Sequence, residues 1–293
     1  MHRDIAALID RQEGWARPLG DWAQPILARL LHEGGRRPIK DVLNGTWLGH
    51  PVHPAVTDVP VGAMTLAVLF DTTGRDGAAD VAVAVGIAGM VASAVTGASD
   101  AVDAYGRART HATVHATLMS ASAGVYLLSG LLRLGPRAAR PLARLLGCVG
   151  YGVMTAGAYV GGDLTYGSGN QVDRHAFEAR STRWRSLGVS EVPAGTLVKA
   201  TCGSDAIVLY RGVDGAPVSA FHAVCSHLGG PLDTGRIVDG CVECPWHQSR
   251  FDLATGHVRQ GPAVYDQPRF EVRETADGGL DGRRMPVGAT SGS

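Results

Sequence analysis

The sequence has few charged residues and no excess of either sign of charge. Charged residues make up 18% of its 293 residues, and Lys+Arg and Asp+Glu number 27 each, so the formal net charge is zero. A protein that binds nucleic acid is expected to carry a basic excess, so we expect no nucleic-acid partner. The apolar share of 45% instead predicts that a large part of the chain is buried.

Cysteine is also scarce, and its number is odd. The chain contains Cys148, Cys202, Cys225, Cys241 and Cys244. A secreted disulfide framework would show an even number at regular spacing, so this set predicts a reducing compartment. The N-terminus lacks the apolar stretch of a signal peptide, and the residues after Arg36-Arg37 are too polar for a twin-arginine signal. We therefore do not expect export.

Residues 1–45 mix apolar and charged side chains at helical spacing. The pattern predicts one or two amphipathic helices, broken near Pro18 and near Gly34-Gly35. Such helices could lie on a membrane surface, or they could cap the neighbouring domain.

Residues 46–167 have a different composition, because Lys and Glu are absent from 51–162. Ala, Val, Gly, Leu and Met form four apolar runs there, at 55–70, 81–99, 116–132 and 145–162. A helix that crosses a bilayer needs roughly 17–25 mostly apolar residues. A soluble bundle is the alternative, but the run at 81–99 has no charged stripe of the kind that a water-exposed helix carries. We therefore predict an all-α four-helix transmembrane bundle.

Four spans place the N-terminal segment and the C-terminal half of the chain on the same side of the membrane. Basic residues near the spans are slightly more numerous on that side. We predict a multi-pass protein of the cell membrane whose C-terminal domain lies in the cytoplasm.

A polar linker at 168–185 leads to a second domain at 186–286, where short β-rich stretches alternate with turn residues. The stretches lie at 196–199, 207–211, 218–222, 242–244, 250–252 and 270–272. They predict a small all-β domain of ordinary size. Residues 287–293 are mostly Gly, Ser, Ala and Thr and predict a flexible tail.

Two loops of the predicted β domain each pair a cysteine with a histidine, namely Cys225 with His227 and Cys244 with His247. In a mixed [2Fe-2S] centre two thiolates bind one iron and two imidazoles bind the other, so two such loops can supply all the ligands. Zinc also binds two cysteines and two histidines, but a zinc finger places its cysteines together and its histidines together. The spacing therefore favours a [2Fe-2S] cluster.

These loops resemble those of the Rieske family, and in particular the Rieske-type ferredoxins that serve oxygenases, over roughly 184–284. The resemblance implies a [2Fe-2S] cluster, transfer of single electrons and a redox partner protein. It also implies that the four ligands are surrounded by Gly229, Gly230, Pro231, Pro245, Trp246, Ser249 and Phe251.

Some positions of the loops differ from those of related proteins. Rieske proteins of cytochrome bc complexes carry an extra cysteine in each loop, where this chain has Gly230 and Trp246. Ser249 matches a serine that hydrogen-bonds a bridging sulfide, while Phe251 replaces a tyrosine that assists it. Because such donors tune the reduction potential, the resemblance implies a value below that of the bc-complex proteins. Gln248 stands where the family usually has glycine.

A Rieske oxygenase would need a second iron, bound by two histidines and a carboxylate downstream of the cluster. Only His257 follows His247 in this sequence. An electron carrier is therefore expected in preference to a catalytic subunit.

The segment around His50-Pro-Val-His53-Pro and the segment from His111 to His115 resemble an uncharacterised bacterial four-helix membrane family, over about 11–175. That family has no settled activity to carry over. His50, His53, His111 and His115 are ionisable groups at or inside the predicted membrane domain, where such groups are candidates for function. Two of them, such as His53 and His115, could bind haem b. A quinone or proton site, and a purely structural role, are the alternatives.

The sequence thus predicts a Rieske iron-sulfur domain fused to the C-terminal side of a membrane domain, and three functions are compatible with it. The first is a membrane-anchored carrier of single electrons between a membrane or soluble donor and an acceptor. The second is a redox sensor or accessory subunit. The third is a compact quinol oxidoreductase with haem b in the helix bundle. The expected partners are a redox protein or quinone and the lipid bilayer.

Overall fold

A computed structural model of the chain describes residues 2–31, 35–178 and 182–286. The chain divides into two compact units. The first, called the helical unit below, comprises Met1–Leu43 and Pro51–Asn170, and the second, the β unit, comprises Asn44–His50 and Gln171–Ser293. The predicted order, a helical region followed by a β-rich domain, is confirmed. Gly34 and the predicted tail at 287–293 lie outside the described residues.

The described part of the helical unit contains seven α-helices. Three precede the predicted bundle: α1 (His2–Asp10), α2 (Glu13–Leu31) and α3 (Arg37–Asn44). Four longer helices follow, and a π-helical turn at Asp163–Gly167 extends the last: α4 (Val52–Thr72), α5 (Asp76–Ala101), α6 (Gly106–Arg133) and α7 (Arg140–Gly162). By length and composition, these four are long and apolar enough to cross a membrane.

The predicted helix break near Pro18 is wrong, because α2 continues through both Pro18 and Pro25. A proline inside a helix loses one backbone hydrogen bond and crowds the preceding turn. Tertiary packing compensates here, since Ala16 is fully buried and α2 crosses α6 closely at Gly20. A β-carbon at Gly20 would lie 2.6 Å from the hydroxyl oxygen of Thr113. The break lies instead between α1 and α2.

The four long helices form two hairpins that repeat the same packing. Helix α4 packs along α5 in the first hairpin, and α6 packs along α7 in the second. In the first, a β-carbon at Gly86 would lie 2.5 Å from the side chain of Met64. In the second, one at Gly150 would lie 2.9 Å from the ring of Tyr126. The two hairpins therefore use glycine to admit one large side chain of the partner helix at equivalent positions.

Apart from a few large side chains such as Met64 and Tyr126, the long helices bury mostly small side chains and expose large apolar ones. Glycine, alanine and serine make up much of the buried surface of α5 and α7. Leucine and valine instead face outwards, as at Leu66, Val81, Val91, Leu131 and Leu145. A helix of a water-soluble bundle would show the reverse arrangement.

Charged side chains lie at the ends of the two hairpins. At the end where each hairpin turns, the first hairpin supplies carboxylates and the second supplies guanidinium groups. They form the pairs Arg133–Asp71, Arg133–Asp80, Arg140–Asp80 and Arg144–Asp76. At the opposite end, the buried Lys40 ammonium lies 2.5 Å from the carboxylate of Asp103.

The β unit contains two antiparallel sheets among its described residues. The six-stranded sheet has the order β1-β10-β9-β4-β3-β2, and the four-stranded sheet has the order β5-β6-β7-β8. The strands are β1 (Arg185–Ser186), β2 (Leu197–Cys202), β3 (Asp205–Tyr210), β4 (Ser219–His222), β5 (Arg236–Val238), β6 (Cys241–Glu243), β7 (Arg250–Asp252), β8 (Val258–Gln260), β9 (Arg269–Glu274) and β10 (Leu280–Arg284). The six predicted strands are present, and β1, β5, β8 and β10 are additional.

Strand β3 is buried on both of its faces, which divides the apolar core of the β unit into two clusters. Ile207 and Leu209 pack on one side with residues of β2, β9 and β10. Val208 packs on the other side with Phe221 and with Phe251 of the smaller sheet. Cys225 and Cys244 belong to this second cluster, so the two loops predicted to bind the cluster rest on the core between the sheets.

Candidate functional site

The two Cys-His loops have the same backbone hydrogen-bond pattern. The first lies between β4 and β5, where the N–H of Cys225 donates to the carbonyl of Gly230 across 2.8 Å. The second lies between β6 and β7, where the N–H of Cys244 donates to the carbonyl of Ser249 across 2.8 Å. Each loop is therefore closed at its cysteine by one short hydrogen bond.

Each loop also contains one residue in the left-handed backbone region. Gly229 has φ +82° and donates its N–H to the carbonyl of Cys225, while Gln248 has φ +61° and donates to the carbonyl of Cys244. Gln248 is thus the counterpart of Gly229. The family preference for glycine at this position has a physical reason, because a side chain is unfavourable at positive φ.

The structure brings the four predicted ligands together. The Cys225 and Cys244 thiols are buried and in hydrogen-bond contact. The rings of His227 and His247 have centroids 5.1 Å apart and are nearly perpendicular, at 84°. Two imidazoles on one tetrahedral metal ion, with metal–nitrogen bonds of about 2.0–2.1 Å, would place their centroids about 5 Å apart. The two pairs could therefore hold one thiolate-bound and one imidazole-bound iron.

The two thiols influence each other, and backbone N–H groups surround them. Contact with Cys244 raises the pKa of Cys225, and the same contact lowers the pKa of Cys244 to about 7, because a shared proton favours one thiol and one thiolate. The N–H groups of Trp246 and His247 donate to the Cys244 sulfur. Such donors stabilise negative charge on sulfur and tune the potential of an iron–sulfur centre.

Gly230 and Trp246 shape the space around the second cysteine. A β-carbon at Gly230 would lie 2.6 Å from the Cys244 sulfur and 3.2 Å from the Trp246 ring, so the first loop can approach the second only with glycine there. Pro245 and Trp246 are exposed, and His247 is half-buried. The site is therefore closed on the side of the cysteines and open on the side of His247.

Ser249 and Phe251 lie beneath the second loop. The buried hydroxyl of Ser249 accepts a hydrogen bond from the N–H of Ala263 across 3.0 Å. Phe251 packs into the core and has no polar atom to offer the site. Pro231 forms an isolated bridge with Val224, which holds the two ends of the first loop together.

A buried polar network that no sequence motif indicates holds Val224, the residue before Cys225. The Nε2 atom of His175 lies 2.9 Å from the Val224 carbonyl, and the Val224 N–H donates to Nδ1 of His222 across 3.2 Å. Glu178 Oε1 lies 2.9 Å from His175 Nδ1 and 3.2 Å from His222 Nε2, and Arg284 donates to Oε2 across 3.0 Å. No spacing rule joins these residues, so no sequence signal identified them.

Two histidines and a carboxylate could also hold a metal ion, and these three side chains are close enough to do so. The hydrogen bonds oppose this assignment. Because His222 Nδ1 accepts the Val224 N–H, its proton lies on Nε2 and is donated to Glu178. An imidazole that binds a metal through Nε2 would instead carry its proton on Nδ1 and donate it to an acceptor there. Burial lowers the pKa of His222 to about 4, which agrees with a neutral ring.

The four predicted membrane histidines do not form one group. His50 is exposed and belongs to the segment Asn44–His50 of the β unit. His111 is buried, with Asp10 3.0 Å from Nε2 and Asp163 3.1 Å from Nδ1. Among these four, the rings of His53 and His115 lie near each other, with centroids 6.3 Å apart.

Comparison with known proteins identifies the β unit. Residues 184–271 match the sequence profile of the family described as Rieske [2Fe-2S] domain. The anthranilate 1,2-dioxygenase ferredoxin subunit of Burkholderia cepacia is 35% identical over 97 residues, which are 33% of this chain and 88% of that protein. The ferredoxin component of the naphthalene 1,2-dioxygenase system of Pseudomonas aeruginosa is 26% identical over 102 residues, or 35% of this chain and 90% of that protein.

Among solved structures, one similar chain is the ferredoxin of carbazole 1,9a-dioxygenase from Nocardioides aromaticivorans IC177. The two sequences are 24% identical, and the superposition has a TM-score of 0.31. The match covers 36% of this chain and 100% of that one. The predicted resemblance of the C-terminal part is thus confirmed by the sequence comparisons, and with it a domain type that holds a [2Fe-2S] cluster. This chain belongs to the Rieske [2Fe-2S] family, with a ferredoxin-type Rieske domain at residues 184–271 after its helical unit.

Proposed function

We propose that this chain is a membrane-anchored carrier of single electrons. In this proposal Cys225, His227, Cys244 and His247 bind the cluster, which accepts and releases one electron at a time when bound. The buried cysteine side excludes water, and the backbone N–H groups stabilise charge on the sulfurs. The open side at His247 is where an electron enters and leaves.

The outward-facing apolar side chains of the four long helices carry the anchoring part of the proposal. A water-soluble protein rarely exposes so much contiguous leucine and valine. In lipid the same arrangement is favourable, because small buried residues let helices approach closely while large apolar residues face the acyl chains. Placement of the paired charges at the hairpin ends agrees with this, since unpaired charges in the bilayer core are costly.

Four spans return the chain to the side on which it entered. We place the helical unit in the cell membrane and the Rieske domain in the cytoplasm, following the weak excess of basic residues on that side. The relatives are named as ferredoxin components of dioxygenase systems. By analogy, the electron donor or acceptor is a redox protein that docks at the open side of the site. A membrane quinone is the second candidate, because a carrier held in the bilayer is close to the quinone pool.

The proposal is tested with the full chain in isolated membranes. We expect the reduced cluster to give a Rieske-type electron paramagnetic resonance signal that stays with the membrane pellet after a carbonate wash. Protease added to the cytoplasmic side of inverted vesicles should release the Rieske domain. A signal that moves to the soluble fraction would contradict anchoring, and protection in inverted vesicles would contradict the orientation. Reoxidation by a water-soluble quinone analogue then separates a quinone acceptor from a protein acceptor.

A further inference from the structure

His53 and His115 occupy equivalent positions in the two hairpins. His53 lies near the start of α4 against Gly97 of α5, and His115 lies in α6 against Gly161 of α7. A β-carbon at Gly97 would lie 2.8 Å from the His53 ring, and one at Gly161 would lie 2.9 Å from the His115 ring. Each histidine precedes the large side chain described above by eleven residues, Met64 in one hairpin and Tyr126 in the other.

The hydrogen bonds of both rings leave the same nitrogen available. His115 Nδ1 lies 2.8 Å from the Gly157 carbonyl and donates to it. His53 donates to the equivalent carbonyl, that of Ser93, and its Nδ1 lies 3.2 Å from the hydroxyl oxygen of Thr96. The Thr96 hydroxyl itself donates to backbone carbonyls of its own helix, so it accepts from His53. With Nδ1 protonated in both rings, each Nε2 carries the lone pair.

This tautomer is the one that metal-binding histidines adopt, in which the second nitrogen donates to a backbone carbonyl. The distance between the ring centroids also fits a metal site. The His227 and His247 centroids, 5.1 Å apart, suit two imidazoles at a tetrahedral angle on one ion. The His53 and His115 centroids are 6.3 Å apart and the rings are nearly perpendicular, at 82°. With metal–nitrogen bonds of about 2.0–2.1 Å, a separation of about 6.3 Å suits two imidazoles on opposite sides of one metal.

The surroundings of the pair restrict which metal fits. A bare zinc ion usually takes four protein or water ligands, and magnesium or calcium takes six or more. The residues of α5 and α7 that contact the two rings are small and supply no carboxylate or thiol: Ser93, Thr96, Gly97, Gly157 and Gly161. Haem iron brings four nitrogens of its own and needs only two axial ligands from the protein.

We propose that His53 and His115 are the two axial ligands of a haem in the helical unit. Only the role of this haem rests on the proposed electron-carrier function, and that role is to give one electron to the Rieske cluster or to take one from it. The transfer moves an electron between haem iron and cluster iron, and no covalent bond forms or breaks. Haem binding itself is measured independently of the cluster.

The test is a titration of hemin into the purified full chain in detergent, followed by reduction with dithionite. We expect saturation near one hemin per chain and the sharp visible bands of six-coordinate low-spin iron. His53→Ala and His115→Ala should each weaken hemin binding by at least about tenfold and give high-spin spectra, because one axial ligand is lost. His50→Ala is the matched control from the same His-Pro motif and should bind hemin like the unchanged chain.

Because both histidines lie in the helical unit, helical circular dichroism and a single gel-filtration peak in detergent, measured on each variant, show whether that unit has folded. If His115→Ala folds poorly, His115→Gly with added imidazole replaces it, and imidazole should restore the low-spin spectrum. Equal hemin binding by the double variant His53→Ala/His115→Ala would overturn the proposal, as would substoichiometric binding by the unchanged chain. A missing Rieske signal with normal hemin spectra would instead count against the proposed cluster ligands alone.

Discussion

The backbone N–H of Ala263 lies 3.0 Å from the hydroxyl oxygen of Ser249 and donates to it. Because Ser249 accepts this bond, its own proton can be donated elsewhere, and the resemblance to Rieske proteins implies a bridging sulfide of the cluster as its acceptor. Removing the hydroxyl with Ser249→Ala should lower the reduction potential, since the added electron loses a donor. A hydrogen bond of about 1–2 kcal/mol corresponds to about 40–90 mV for one electron. The potential is measured by dye-mediated titration, and Phe251→Tyr, which adds a hydroxyl nearby, should shift it in the opposite direction. An unchanged potential in both variants would show that neither position touches the cluster.

The assignment of Cys244 as a cluster ligand can be tested with the nearby Cys241 as a control. Cys244 and Cys241 are both buried and lie three residues apart, but only Cys244 faces Cys225. Cys244→Ser should reduce the iron and labile sulfide content by at least about tenfold, since a ligand is lost. Cys241→Ser should retain the full content and spectrum, and a cluster that survives in Cys244→Ser but not in Cys241→Ser would contradict the ligand assignment.

The left-handed conformation of Gln248 predicts a stabilising substitution. Backbone strain at positive φ costs a residue with a β-carbon about 1–2 kcal/mol. Glycine avoids this strain but lowers stability by about 0.4–1 kcal/mol, because it raises the conformational entropy of the unfolded chain. Gln248→Gly should therefore stabilise the loop by about 1 kcal/mol or less, raising the midpoint of thermal cluster loss by a few degrees. The side-chain amide of Gln260 donates to the backbone carbonyl of Gln248, so this bond persists. Gln248→Ala is the control, because it removes the side chain without relieving φ, and it should give no gain.

The His222 network predicts how stability changes with pH. Burial, with a contribution from the nearby His175, lowers the pKa of His222 from 6.5 to about 4. Between these values the unfolded chain binds a proton that the folded chain does not, so stability falls as the pH drops from about 6.5 to about 4. His222→Asn keeps an acceptor for the Val224 N–H but does not titrate. Its melting temperature, followed by visible circular dichroism, should fall less over this range than that of the unchanged chain, and parallel curves would refute the assignment.

Local patterns in the sequence were sufficient for much of the architecture. The four ligands can be proposed from the sequence because Cys225 with His227, and Cys244 with His247, are close neighbours along the chain. The long helices were identified because their apolar runs are unbroken. Their ends extend beyond the predicted runs, since helix α6 includes polar residues such as Arg107 and Thr110 that lie outside any apolar stretch.

Features that depend on distant residues could not be predicted. The sequence predicts a helix break at Pro18, because the close crossing of α2 and α6 at Gly20 depends on the position of α6, which the local sequence does not give. The amide of Gln267 donates to the His222 carbonyl across 2.8 Å, yet 45 residues separate them and neither belongs to a motif. The repeat of the two hairpins cannot be predicted from the sequence either, because equivalent positions hold unlike residues, such as Met64 and Tyr126. Only the shared contact with glycine reveals their correspondence.

The carboxylates and guanidinium groups at the turning ends of the hairpins also determine which surfaces can associate. Two first hairpins brought side by side would oppose Asp71 and Asp80 to their own copies, and two second hairpins would oppose Arg133 and Arg140 to theirs. Association of two identical hairpins is thus unfavourable because like charges would meet, whereas the two different hairpins attract each other. Because one hairpin carries the carboxylates and the other the guanidinium groups, each hairpin recognises the other and not its own copy, which keeps the helical unit a closed assembly of two unlike halves.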